Sequence, residues 1–264
     1  MNSVRKILLS VLGEKRYLSF LAKSFQNLYR MGVPGKDYQD IYFLRKFIRK
    51  GDCCVDIGAH LGYYTLELSR LVDKSGQVLA IEPMSKFYQT LLGLLKEKRI
   101  INVDLRQLAM GGDGDSVEMG IPQVNNMKKY AYARVKNSSS FLDYVESERV
   151  KNESGDTLFA ALPRLDFVKC DVEGLEVPVF ASMMVTLSLH HPVLLCELGD
   201  RHDRIRLFDM LKPLGYQVFW LEENILYPLD VYSEKKTVSH NHYFIPAGRM
   251  DIFEKLISPA PAKS

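Results

Sequence analysis

Two stretches of this 264-residue chain bring together side chains that can do chemistry. The first is Cys53-Cys54-Val55-Asp56-Ile57-Gly58-Ala59-His60-Leu61-Gly62, with Glu82-Pro83 beyond it. An apolar run ends in Asp56 and breaks at Gly58, and a helical pattern opens after Gly62. A strand that feeds a helix through a glycine turn aims the helix's free N–H groups at whatever lies over the turn. Asp56 sits beside those donors, so the spot suits a ligand with both charges, such as the ammonium and carboxylate of an amino acid. Glu82 ends the next strand, where a carboxylate can accept from both hydroxyls of a ribose. An amino acid joined to a nucleoside describes S-adenosylmethionine (SAM). The rival ligand is a nicotinamide dinucleotide, which needs G-x-G-x-x-G so that backbone can close on a pyrophosphate. The spacing here is Gly58-x-x-x-Gly62, and Asp56 would repel that anion.

The second stretch is Phe167-Val168-Lys169-Cys170-Asp171-Val172-Glu173-Gly174-Leu175-Glu176. A buried strand delivers Asp171 to its carboxyl end, the rim where ligands of open α/β sheets collect. Glu173 and Glu176 crowd the same turn. Glu176 reads as a first-turn acid that complements the following helix, and Pro178 fits that turn too. Asp171 and Glu173 read as functional.

If SAM binds here, the reaction is an in-line methyl transfer, which demands alignment of acceptor, methyl and sulfur. A hydroxyl acceptor also needs help in losing its proton. The candidate catalytic groups are Asp171, Glu173, Glu197 at the end of the fifth strand, and His60 in the cofactor loop. His60 serves equally well as a hydrogen-bonding part of that turn, and His202 and His242 read as structural. Asp171, Glu173 and Glu197 would be the oxygen ligands if a Mg²⁺ ion shared the site. The cofactor contacts are expected at Asp56, Gly58, Ala59, His60 and Gly62, at Glu82 and Pro83, and at Asp171. An adenine ring would lie against Gln107, Leu108 and Ala109.

These residues need particular elements to hold them. Residues 1–31 are helical in pattern, with Tyr17, Leu18, Leu21, Phe25 and Leu28 at three- and four-residue steps. The segment 1–45 is read as a helical cap or lid, and its basic, apolar helix could also rest on a membrane surface. Strands are expected at Cys53–Ile57, Gln77–Ile81, Val103–Leu108, Leu165–Cys170, Pro192–Cys196, Tyr216–Leu221 and Asn241–Pro246, with helices between most of them. Alternation of this kind means a mostly parallel sheet covered on both faces. Residues 46–264 therefore form the cofactor-binding domain. Within it, 111–155 is an irregular insertion with one edge strand at Val117–Ile121, which reads equally as a place for substrate contacts or as a mobile connection.

Composition narrows the classes. A net charge of +3 is too small for a dedicated nucleic-acid binder. The four cysteines, Cys53, Cys54, Cys170 and Cys196, all fall in buried-strand runs without zinc spacing, so reduced core thiols in a cytoplasmic protein are expected. No run is long enough to span a bilayer, and no cleavage site follows the short apolar start.

Taken together, V-D-I-G-A-H-L-G-Y-Y-T, I-E-P, F-V-K-C-D-V-E-G-L-E, L-C-E-L and H-Y-F-I-P resemble the FkbM family of SAM-dependent methyltransferases, from about Gly51 to Pro246. The resemblance implies a class I methyltransferase (Rossmann-like) fold, with seven strands of which the last, Asn241–Pro246, is antiparallel. It also implies O-methylation of a small-molecule, sugar or glycolipid hydroxyl. Asp56 and Gly58 match the family's SAM loop, and Glu82 its ribose acid. A SAM-fold protein that binds without catalysing, or a nicotinamide-dependent oxidoreductase, are the alternatives.

Overall fold

A computed structural model describes residues 2–32, 38–124, 127–136, 143–233 and 240–258. The chain starts with a long helix, α1 (Asn2–Arg30), bent where Gly13 leaves helical geometry at φ 70° and ψ 161°. A short α2 (Gln39–Phe43) and a 3-10 turn bury Ile41, Phe43 and Leu44. Then β1 (Cys53–Ile57), α3 (Tyr63–Val72), β2 (Gln77–Ile81), α4 (Ser85–Glu97) and β3 (Val103–Arg106) follow in alternation. Next come β4 (Ser116–Val124), β5 (Met127–Lys128), β6 (Arg134–Val135) and β7 (Tyr144–Lys151). The second half runs α5 (Gly155–Phe159), β8 (Phe167–Cys170), α6 (Glu176–Ala181), α7 (Met184–His190), β9 (Val193–Glu197) and α8 (Arg201–Leu211). It ends with β10 (Tyr216–Glu222), β11 (Ile225–Pro228) and β12 (Asn241–Pro246).

Among the described residues the main sheet has eight strands in the order β11-β10-β12-β9-β8-β1-β2-β3. The strands from β3 to β9 are parallel, and β12 runs antiparallel to both β9 and β10. This is the class I methyltransferase arrangement with one addition. Seven strands were expected; the eighth, β11, folds back on β10 through Glu223 and Asn224, both at positive φ (49° and 65°). Two left-handed residues in a row make the tight hairpin turn that suits twisted strands. A four-residue strand ending in proline left little trace in the sequence.

The central strands β1 and β8 are buried along their whole length. One face of the sheet packs Val55, Val168, Leu194 and Phe244 against α6, α7 and α8. The other packs Cys54, Phe167, Leu195 and Tyr243 against Phe43, Phe47 and Leu68. All four cysteines are free and buried, as their strand positions suggested.

The insertion is more ordered than expected. Its described residues form a small antiparallel sheet in which β4 pairs with β5, β6 and β7, and only residues 125, 126 and 137–142 lie outside the description. A third apolar cluster joins Val117, Met119 and Ile121 of this sheet to Tyr17, Leu18 and Ala22 of α1 and Phe87 of α4. Leu28 of the expected α1 stripe faces solvent instead, and Tyr29 takes the buried position. No described helix is long and apolar enough to cross a membrane.

Candidate functional site

The strand order reverses direction at β1, which has β2 on one side and β8 on the other. Loops leaving two such strands diverge and open a crevice at their carboxyl ends. Here the two loops touch: a Cβ on Gly58 would lie 1.8 Å from the carbonyl oxygen of Asp171, and Gly58 has φ 82°. Glycine at 58 is therefore a requirement of loop-on-loop packing. The crevice holds a cavity of about 630 Å³, large enough for a cofactor-sized ligand.

Five carboxyl side chains line this cavity: Asp56, Glu82, Asp171, Glu173 and Glu197. Asp56 is buried and accepts the Thr65 hydroxyl at 2.5 Å. Burial pushes its carboxyl up to about 6 despite that bond and the nearby Lys169. Glu82 accepts the backbone N–H of His60 at 2.7 Å and of Met84 at 2.8 Å. Burial outweighs both donors and raises it to about 8. Glu173 and Glu197 are each pushed to about 7, first by burial and then by the neighbouring Asp171. A carboxylate has room for several hydrogen bonds, so Glu82 keeps acceptor capacity beyond its two amides.

Lys169 holds the acid cluster together. It lies in mid-strand on β8, in register with Asp56 on β1, and is 1% exposed. Its Nζ is 3.3 Å from Asp171 Oδ2 and 5.2 Å from the centre of the Tyr64 ring. Burial opposes its charge, but Asp171 and Glu197 outweigh burial and keep the ammonium firmly protonated. Sequence reasoning gave Lys169 no role, although a lysine inside the apolar run Phe167-Val168-Lys169-Cys170 was a usable signal, since buried charges need partners.

Most of the expected site residues meet at the cavity: Asp56, Gly58, Ala59, His60, Glu82, Pro83, Leu108, Ala109, Asp171, Glu173 and Glu197 all line it. Two lie elsewhere. A Cβ on Gly62 would strike Leu91 of α4 at 2.4 Å, so this glycine serves helix packing. Gln107 is exposed and donates to Ser85 Oγ at 2.8 Å; the lining from this segment is Leu108 to Met110. Glu176 is the first-turn acid of α6 it was read to be, but its carboxylate accepts the N–H groups of Val172 and Gly174 in the preceding loop. His60 adopts φ 49°, packs 4.2 Å from the Phe87 ring, and is held down to about 4 by burial.

The expected Mg²⁺ ligand set is not assembled. Among the described residues no group of three or more His, Cys, Asp or Glu side chains could hold a metal ion. Two of the three expected ligands already have cations, Asp171 in Lys169 and Glu173 in Arg134 at 3.0 Å.

The opposite wall was not foreseen in detail. Tyr17, Leu18 and Leu21 of α1 and Lys129, Tyr130 and Tyr132 of the insertion face the cavity. A polar clasp fastens this roof: Glu14 accepts from Tyr130 at 2.6 Å, from Lys128 at 3.0 Å and from Lys86 at 3.1 Å. Both lysines also bond Glu146. Burial raises the Glu14 carboxyl, but these three donors prevail and hold it at about 2.

The Methyltransferase FkbM domain matches residues 56–221 of this chain. No curated protein matches by sequence. Among solved structures, an FkbM methyltransferase from Methylobacillus flagellatus KT is similar at 18% identity and a TM-score of 0.48, over 73% of this chain. This chain spans 43% of that protein's length. A SAM-dependent O-methyltransferase from Thermotoga maritima is similar at 13% identity and TM-score 0.40, over 78% of this chain and 63% of its own. Aeropyrum pernix fibrillarin with bound S-adenosyl-L-methionine is similar at 10% identity and TM-score 0.43, over 79% and 74%. The structural likenesses are partial, whereas the domain match spans most of the chain and contains both acidic loops. On that match, the chain belongs to the FkbM methyltransferase family.

Proposed function

We propose that this protein is a SAM-dependent O-methyltransferase acting on a hydroxyl of a small molecule, sugar or glycolipid. The observation that carries the reading is the excess of carboxyl groups on one cavity, four of them pushed up to between about 6 and about 8. Burial holds protons on these groups in spite of Lys169 and Arg134, and they favour a ligand that brings positive charge. SAM carries an ammonium and a sulfonium, and when bound it supplies an electrophilic methyl group. A dinucleotide would bring a pyrophosphate to the same acids.

Asp56, at the mouth of the β1 turn, is placed to pair with the ammonium. Glu82 is oriented by the His60 and Met84 amides, so its remaining lone pairs can take ribose hydroxyls. The segment Leu108 to Met110 offers an apolar wall for a base. Asp171 and Glu197 divide the acid–base work. Lys169 lies 3.3 Å from Asp171, and burial together with the neighbouring Asp171 raises Glu197 to about 7. A carboxyl raised in this way is a proton acceptor suited to neutral pH. Glu197 is thus the base that receives the acceptor's hydroxyl proton as the oxygen bonds to the methyl carbon. The His60 ring, held down by burial, is a weak base, and its backbone N–H positions Glu82.

Calorimetric titration with SAM, with NAD as the competing cofactor, tests the reading. Micromolar SAM binding is expected, weakened roughly tenfold to a hundredfold in Asp56→Ala by the loss of a charge-assisted contact. Folded protein that binds NAD and not SAM would overturn it.

A further inference from the structure

Resting on that reading for the cofactor side, we propose that the roof of the cavity binds an anionic group on the acceptor, through Lys129. The site would take a hydroxylated ring bearing a carboxylate or a phosphate. The starting observation is how the cations around the roof are used. Lys86 and Lys128 are held by Glu14 and Glu146, and Lys136 by Glu118. Lys169, beneath them, is held by Asp171. Lys129 lines the cavity and has no carboxylate partner among the described residues.

Arg134 is half committed. It stands behind the cavity wall: one guanidinium nitrogen reaches the lining residue Glu173 at 3.0 Å, and its Nε is buried with no hydrogen-bond partner. A buried N–H without an acceptor is costly, and such groups in native proteins commonly mark a missing ligand or water. Planar guanidinium donors match carboxylate and phosphate oxygens in particular. Tyr130 and Tyr132, on the same segment, add aromatic surface to the cavity, with Tyr132 half-exposed at its edge. Aromatic faces beside cations fit a ring that carries negative charge.

The charge pattern also sets the direction of binding. The floor is acidic, at Asp56, Asp171 and Glu197, so an anion is repelled there and attracted to the roof. An acceptor held by its anion at Lys129 turns its uncharged end, with the hydroxyl, towards Asp171 and Glu197.

The full chain, with and without SAM, is titrated with three probes: a methyl glucuronide, glucose 6-phosphate and the neutral methyl glucoside. At least one acidic probe is expected to bind ten times or more tighter than the neutral one. The carboxylate and phosphate arms identify which anion is preferred. Lys129→Gln should cut that margin to under threefold with SAM affinity unchanged. Lys129→Glu should turn it into a preference against the acidic probes. Equal binding of acidic and neutral probes, no saturable binding of either acidic probe, or an intact margin in Lys129→Gln overturns the proposal. The two readings fail separately. Acidic-probe binding without SAM binding keeps the anion site and sinks the methyltransferase, whereas SAM binding without acidic preference sinks the anion site alone.

Discussion

The floor and the roof of one cavity treat carboxyl groups in opposite ways. On the floor, Asp56, Glu82 and Glu197 are pushed up to about 6, about 8 and about 7. In the roof, Glu14 is held at about 2 by Tyr130, Lys128 and Lys86 after burial has raised it. Asp56 and Glu82 are buried and Glu14 only partly, which accounts for part of the difference. The rest is how fully the chain compensates the charge: three donors converge on Glu14, whereas Asp56, Asp171 and Glu197 share Lys169. Where it does, the charge is structural and closes a clasp. Where it does not, the acids are poised for a cation that comes from outside.

The sharpest way to break this comparison is on the floor. Glu197→Gln keeps the shape of the side chain and removes the proton acceptor. Under the proposed mechanism kcat falls by about 10² to 10⁴, the usual worth of a general base, while SAM affinity changes little. Single-turnover kinetics beside a SAM titration would separate the two effects. An unchanged rate would move the base to Asp171 or remove it altogether.

The pH dependence of stability sharpens it next. The floor carboxyls have folded values above the value of about 4 expected in the unfolded chain. Their contribution is therefore fully present below about pH 4 and is lost as pH rises through about 6 to about 8. Glu14 has the opposite sign: its contribution is present above about pH 4 and is lost as pH falls towards about 2. Ligand-free protein should thus lose melting temperature between about pH 6 and about pH 8, and the stabilisation added by SAM should grow over that interval. Thermal scans with and without SAM across this range would show it. Melting temperatures that rise towards pH 8 without ligand would contradict the picture of a floor whose burial raises its acids.

The smallest effect is expected in the roof. Glu14 is about one-third exposed, and ion pairs of that kind are worth roughly 1 kcal/mol or less. Glu14→Gln should lower unfolding stability by about that amount in urea titration and leave SAM affinity intact. A large loss of SAM binding would mean that the clasp shapes the floor as well.

Most of the floor was legible in the amino-acid sequence. Asp56 and Gly58 sit in a strand–turn–helix unit, Glu82 ends the next strand, and Asp171 ends another. A strand end is a local property, and the βα alternation says which ends share a rim. The eighth strand and the four-stranded insertion sheet were less legible, because short strands with proline and polar residues carry weak periodicity. Gly62 shows the limit of reading a glycine from its motif, since its constraint comes from Leu91, 29 positions away.

The sequence by itself determined the parallel sheet, the order of its acidic strand ends and the family to which those motifs belong. It could do so because each depends on residues close together along the chain. Tertiary structure alone decided that Lys169 sits between Asp56 and Asp171, that Glu173 turns to Arg134, and that α1 and the insertion roof the cavity. Those contacts join residues separated by as many as 116 positions, as Glu14 and Tyr130 are. Whether a buried charge is compensated depends on which distant side chains packing brings within a few ångströms.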